Sequence, residues 1–169
     1  MADMYSVVIG TNRENSNSLK VGKHYVAELK KMGISAELFT LEGLEMDNTS
    51  QGFKDFEANV LIPTQKFIFI LPEYNGSYPG VFKHMIDISD IKKCWPHKKA
   101  LLTGVATGKG GNIRGMEHIT GALNYLKVFV HPNRLPISQV DLLLNDREEI
   151  ADEKTREAVQ TQLKEFINF

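Results

Sequence analysis

The run Lys66-Phe67-Ile68-Phe69-Ile70-Leu71, closed by Pro72-Glu73-Tyr74-Asn75-Gly76-Ser77-Tyr78-Pro79-Gly80, decides the fold. From Phe67 to Leu71 aromatic and aliphatic residues follow one another with no polar break, so neither face of the segment is offered to water. Such runs belong to strands covered on both faces, the condition inside a parallel sheet. Proline and glycine then end the run, because proline has no ladder N–H and glycine frees the backbone to turn. The same kind of run recurs at Tyr5-Ser6-Val7-Val8-Ile9 before Gly10, and further strands are read at 34–39, 99–105 and 128–137, the last interrupted around Pro132.

Helix-period segments lie between these strands. Residues 18–32 carry Leu19, Val26 and Leu29 with lysines on the outside, and Gly33 stands where a left-handed helix cap favours glycine. Helices are also read at 53–61, 80–91, 112–127 and 152–167, the last with Val159, Leu163, Phe166 and Ile167 on one face. Residues 40–52 form a polar, turn-rich loop with room for one helical turn. Strand–helix alternation of this kind predicts an α/β domain, 1–169, with a five-stranded parallel sheet and helices on both faces.

Composition narrows the function classes. The 169 residues are 42% hydrophobic and 24% charged, with a formal net charge of -1. So balanced a chain predicts neither a nucleic-acid nor a membrane partner. The single cysteine, Cys94, cannot make an internal disulfide. The start has no signal-peptide pattern and the longest apolar run is far too short to span a bilayer, which predicts a cytoplasmic protein.

Ligands of such sheets bind beyond the carboxyl ends of the strands, so the loops there carry the functional reading. The first, Gly10-Thr11-Asn12-Arg13-Glu14-Asn15-Ser16-Asn17-Ser18, sets hydroxyls, amides and a guanidinium before a helix N-terminus, which suits a phosphate. The alternative is that Ser16 or Ser18 only caps the helix. The loop is neither a Walker A motif nor a G-x-G-x-x-G fingerprint. In the second loop, 72–80, Tyr74 and Tyr78 offer flat surfaces, and Asn75 with neighbouring N–H groups suits a planar ring; a structured turn would use the same residues. The third, Ala106-Thr107-Gly108-Lys109-Gly110-Gly111-Asn112, has glycines that admit close backbone approach to a ligand, or simply a flexible turn. One phosphate-suited loop and two ring-suited loops on one sheet edge describe a mononucleotide such as FMN.

Pro72-Glu73-Tyr74-Asn75-Gly76-Ser77-Tyr78-Pro79-Gly80-Val81-Phe82-Lys83 strongly resembles the Pro-Glu-Tyr-Asn-x-Ser-x-Pro-Gly-x-Leu-Lys signature of the NADPH-dependent FMN reductase family. Gly10 to Ser16 resembles that family's Gly-Ser-x-Arg-x-x-Ser phosphate loop, and Gly108-Lys109-Gly110-Gly111 with Arg114 is similar to its third flavin loop. The resemblance runs from the first strand to about Leu126. It implies a flavodoxin-like three-layer sandwich with sheet order 2-1-3-4-5. It also implies hydride transfer from NADPH, or NADH, to FMN and on to flavin, quinone or a similar small-molecule acceptor, in a homodimer or homotetramer. By this resemblance Thr11, Arg13, Ser16 and Ser18 hold the phosphate. Pro72, Glu73, Tyr74, Asn75 and Gly76 line the isoalloxazine, and Thr107, Gly108, Gly110 and Gly111 face it from another side. Thr11 replaces the usual serine, Ser18 stands where many relatives have asparagine, and the tail beyond Leu126 matches no motif. No side chain is required as a nucleophile, since the cofactor carries the chemistry.

Rival readings are an electron-carrier flavodoxin, a flavin-binding sensor with little turnover, and an α/β hydrolase. Carriers tend to be strongly acidic, and no G-x-S-x-G elbow is present. His97, His118 and His131 are scattered without metal-ligand spacing, and His84 reads as a packed or exposed residue of the helix after the second loop. Lys92, Lys93, Lys98 and Lys99 read as a solvated face, with attraction of an NADPH 2′-phosphate as the functional alternative.

Overall fold

A computed structural model describes residues 3–169. Strand β1 (Tyr5–Ile9) leads to helix α1 (Asn17–Lys31), β2 (Ala36–Thr40) and α2 (Gln51–Phe56), which runs on through a π-type turn at Glu57–Leu61. Then follow β3 (Lys66–Pro72), α3 (Gly80–Ile88), β4 (Lys99–Val105), α4 (Ile113–Tyr125), β5 (Phe129–Val130), β6 (Leu135–Ile137), a short 3₁₀ turn (Val140–Leu142) and α5 (Glu153–Ile167). The strands lie parallel in the order β2-β1-β3-β4-β5, the expected order.

The sheet has six strands where five are expected. Both β5 and β6 pair with β4, β5 with its beginning at Lys99 and Ala100, β6 with its end at Thr103 to Val105. Between them His131-Pro132-Asn133-Arg134 leaves the ladder, because Pro132 has no N–H to give it. The fifth sheet position is therefore filled by two short strands in series.

Period-two alternation divides the core. Phe67, Phe69 and Leu71 of β3 join Val8, Ala100 and Leu102 on one face, under Phe53, Phe82, Met85, Ile119 and Leu123 of α2 to α4. Ile68 and Ile70 join Val7, Ile9 and Leu101 on the other, under Val21, Tyr25 and Leu29 of α1 and Val159, Leu163 and Phe166 of α5. Each such fully buried side chain contributes roughly 2 kcal/mol of transfer free energy. One polar chain crosses the second face. Tyr25 Oη bonds Thr103 Oγ1 at 2.7 Å and donates to Gln162 Oε1 at 2.6 Å, while Gln162 Nε2 donates to the Leu102 and Asn133 carbonyls. Every buried polar group in it is paired, so it ties α1, β4 and α5 in one register.

Helix ends carry the expected chemistry. Ser16, Ser50 and Asp152 cap α1, α2 and α5 by accepting the N–H three residues on. Gly33 takes the left-handed conformation after α1, at φ +78°. The Lys92–Lys99 cluster is explained at the opposite end of the sheet from the loops read as functional. Buried Lys98 donates to the Leu61 and Ile62 carbonyls at the end of the π-type turn. Lys99 donates to the Phe169 carbonyl, and Lys93 pairs with Asp90. Lys66 does the same for the last carbonyls of α5. Lys98 and Lys66 thus answer the negative ends of helical segments, and the cluster's place near the start of β4 does not suit it to a phosphate beyond that strand's other end.

Candidate active site

The loops after β1, β3 and β4 meet at the carboxyl edge of the sheet around a cleft of about 230 Å³. Arg13, Ser16 and Ser18 line it from the first loop, Pro72, Glu73 and Tyr74 from the second, and Thr107 from the third. Glu14, Asn17, Val105, Ala106 and Val140 also line it, and sequence reasoning did not single these out. Val140 belongs to the chain beyond β6, a segment with no motif to mark it.

The phosphate-suited loop is held from below by a hydroxyl pair. Thr11 is fully buried, and its Oγ1 lies 2.5 Å from Tyr74 Oη and accepts the Arg13 N–H at 3.2 Å. Thr11 thus fastens the first loop to the second from beneath. The Arg13 guanidinium lies 4.1 Å from the centre of the Tyr74 ring and makes no ion pair among the described residues. Tyr74 therefore presents its ring to Arg13, a cation–π contact that fixes the guanidinium at the mouth of the cleft. Tyr78, read as another flat surface, instead packs edge-on against Phe82.

Ser16 and Ser18 divide the work at the head of α1. Ser16 Oγ accepts the Leu19 N–H at 3.2 Å, which is the capping alternative, and its own O–H remains free to donate. Ser18 is 1% exposed, and its Oγ has no hydrogen-bond partner among the described residues. A buried hydroxyl left without a partner costs about 1–3 kcal/mol, so an acceptor from outside the protein is the physical expectation at this point. Unpaired first-turn N–H groups and the helix dipole favour that acceptor being anionic. The residues present fit a phosphate group.

The second loop is a tight turn. Tyr74 and Ser77 exchange backbone bonds at 2.8 and 3.1 Å, and Asn75 (φ +53°) and Gly76 (φ +75°) occupy the left-handed region. Asn-Gly is the favoured pair for such a turn, since both centres need positive φ. The structured-turn alternative is thus realised, and it leaves the N–H groups of Asn75 and Gly76 without intramolecular partners among the described residues. Arg114, at the start of α4, brings Nη1 within 3.0 Å of where a Cβ on Gly76 would stand.

The third loop departs from its reading. Glycines 110 and 111 were expected to admit a ligand; the structure uses them for packing. A Cβ on Gly110 would approach Glu73 Oε2 to 3.1 Å, and one on Gly111 would meet Pro136 Cβ at 2.7 Å. Gly108 has open space around it, and its carbonyl accepts the Gln139 N–H. Of this loop only Ala106 and Thr107 line the cleft. Glu73 reaches across to accept the Asn112 N–H at 3.1 Å, and Asn112 Nδ2 donates to the Leu71 and Pro72 carbonyls at 2.9 and 3.0 Å. Asn112, itself left-handed at φ +60°, is the clamp between the second and third loops. Its side-chain reach across 40 residues left no local signal.

Residues 5–141 match the description NADPH-dependent FMN reductase. The chain belongs to that family. It is accordingly an enzyme of the NAD(P)H-dependent flavin oxidoreductases, with a small-molecule acceptor. It is 29% identical to an NAD(P)H-dependent FMN reductase of Pseudomonas aeruginosa, over 88% of this chain and 89% of that one. It is 24% identical to a 2-hydroxy-1,4-benzoquinone reductase of a Burkholderia species, over 98% and 95%. Among solved structures it resembles FerB, a flavoenzyme NAD(P)H:(acceptor) oxidoreductase from Paracoccus denitrificans. The TM-score is 0.80 at 20% identity, over 99% of this chain and 96% of that one. No helix among the described residues is long and apolar enough to cross a membrane.

Proposed function

We propose that the cleft binds FMN with its phosphate at the head of α1, and that the enzyme passes hydride from NADPH to a flavin, a quinone or a similar acceptor. The buried, unpartnered Ser18 hydroxyl carries this reading, since it needs an acceptor that the chain does not supply. Ser16 and Ser18 donate hydroxyl bonds to the phosphate, Arg13 adds a charge-assisted bond, and Thr11 holds the loop in place through Tyr74. Pro72, Glu73, Tyr74, Asn75 and Gly76 border the ring, with the free N–H groups of Asn75 and Gly76 as donors to its polar edge. Thr107 closes the other wall with Gly108 leaving open space beside it, while Gly110 and Gly111 act by letting the third loop lie against Glu73 and β6.

FMN, when bound, accepts hydride from the reduced nicotinamide and delivers electrons to the acceptor. The chain's own contribution is positional. It fixes the phosphate, orients the ring, and sets N–H dipoles where negative charge grows on the ring. NADPH is the proposed donor, with NADH a poorer one, and the functional unit is a homodimer or homotetramer. Steady oxidation of NADPH by the FMN-loaded protein with a benzoquinone, over many turnovers, is the expected result. Stoichiometric FMN binding with no turnover would make the protein a carrier or sensor instead.

A further inference from the structure

We propose that the cavity between α1 and the 147–150 segment is a second anion site, separate from the flavin cleft, that takes a phosphate monoester dianion. This cavity, about 410 Å³, is larger than the cleft at the loop edge. One wall is a stripe of α1, where Lys20, Lys23, His24, Ala27 and Lys31 follow at helical spacing and share a face. The other is Arg147 and Ile150, with Arg156 from the first turns of α5.

Charge selects the ligand class. Five cationic side chains face three carboxylates, Glu28, Glu148 and Glu149, an excess of two positive charges. Two of the cations are spent locally: Lys20 pairs with Glu148 at 2.9 Å and Lys31 with Glu28 at 2.5 Å. Glu28 also accepts from Gln160 Nε2 at 3.0 Å, which anchors its carboxylate. Lys23, Arg147 and Arg156 make no ion pair among the described residues. Two guanidiniums and an ammonium around one opening suit a dianion with three terminal oxygens.

A second observation points inward. His24 Nε2 is buried and has no hydrogen-bond partner among the described residues. His24 lines this cavity, so a phosphate oxygen there completes the ring nitrogen once the imidazole turns towards it. Burial holds the imidazole below its ordinary range, opposed by Glu28 and Glu149 and reinforced by Lys31 and Arg156. An anion among these groups favours the imidazolium, so His24 itself reports occupancy.

The test is an NMR titration of the His24 ring in FMN-saturated protein with inorganic phosphate, at ionic strength held constant with chloride. Saturating FMN occupies the head of α1, and a His24→Gln variant assigns the signal. A saturable change with a rise in the His24 pKa is expected, weakened at least tenfold in Arg156→Gln with FMN affinity unchanged. NADP⁺ and NAD⁺ then separate two sources of the same chemistry. If NADP⁺ moves His24 and NAD⁺ does not, the 2′-phosphate of a dinucleotide is the ligand; if neither does, it is a free phosphate monoester. A His24 signal indifferent to phosphate, a response equal in Arg156→Gln, or an equal response to NAD⁺ overturns the assignment.

Discussion

Ser18 carries a hydroxyl that the fold buries at a helix N-terminus and leaves without a partner among the described residues. Nothing about α1 requires this, because Ser16 already supplies the cap. Ser18→Ala removes an unsatisfied group from the free protein and a donor from the complex. FMN affinity should fall by about 1 kcal/mol, roughly fivefold, with thermal stability unchanged or slightly raised. FMN fluorescence titration and a melting curve check the two halves. Cys94 is the opposite case, a reactive residue type made inert. It is fully buried with Sγ 3.5 Å from Glu57 Oε1, and burial together with that carboxylate pushes the thiol up to about 12 from 9.0. The folded protein should resist iodoacetamide at pH 8 and react only when unfolded. Between about pH 9 and 12 the unfolded chain loses this proton and the folded one keeps it, so stability falls as pH rises through that window. Cys94→Ala should flatten that slope in urea melts taken across the same range.

Asn112 and Glu73 act at the scale of the elements, joining the end of β3 to the start of α4. Asn112→Gly keeps the left-handed backbone open and deletes only the two bonds to the Leu71 and Pro72 carbonyls. A loss of about 1–3 kcal/mol in urea unfolding is expected, with weaker FMN binding as the second and third loops separate. Elements also show what was legible in the sequence. Strands β1 and β3 were, because burial on both faces writes compact, largely apolar runs. The cap at Gly33 was, because it depends on residues a few places apart. The helix read at 53–61 begins two residues earlier, at Gln51, because Ser50 caps it. It also changes to π-type winding at Glu57, where Lys98 gathers its last carbonyls. That lysine is far along the chain, and no local pattern announces it. The packing of Gly110 and Gly111 left no local signal for the same reason, since what crowds them is Glu73 and Pro136.

The whole molecule is a sheet covered by helices on both faces, whose carboxyl edge collects three loops. Alternation along β3 sends Phe67 and Phe69 to one helix layer and Ile68 and Ile70 to the other, so the strand is gripped from both faces. Of the residues that the sequence marked, Arg13, Ser16, Ser18, Pro72 to Tyr74 and Thr107 line one cleft. Val140, which also lines the cleft, carries no motif, because the 3₁₀ turn is brought to the site by the pairing of β6 with β4 and by its N–H bonds to the Ala106 and Gly108 carbonyls. The central claim is that a phosphate seated at the head of α1 anchors the flavin. Comparing FMN with riboflavin by fluorescence titration tests it most directly, since the two differ only in that phosphate. FMN should bind at least about a hundredfold more tightly, and Arg13→Ala should remove most of the difference, consistent with roughly 1.5–3 kcal/mol for each charge-assisted bond. Equal affinity for the two flavins, unaltered by Arg13→Ala, would contradict the account.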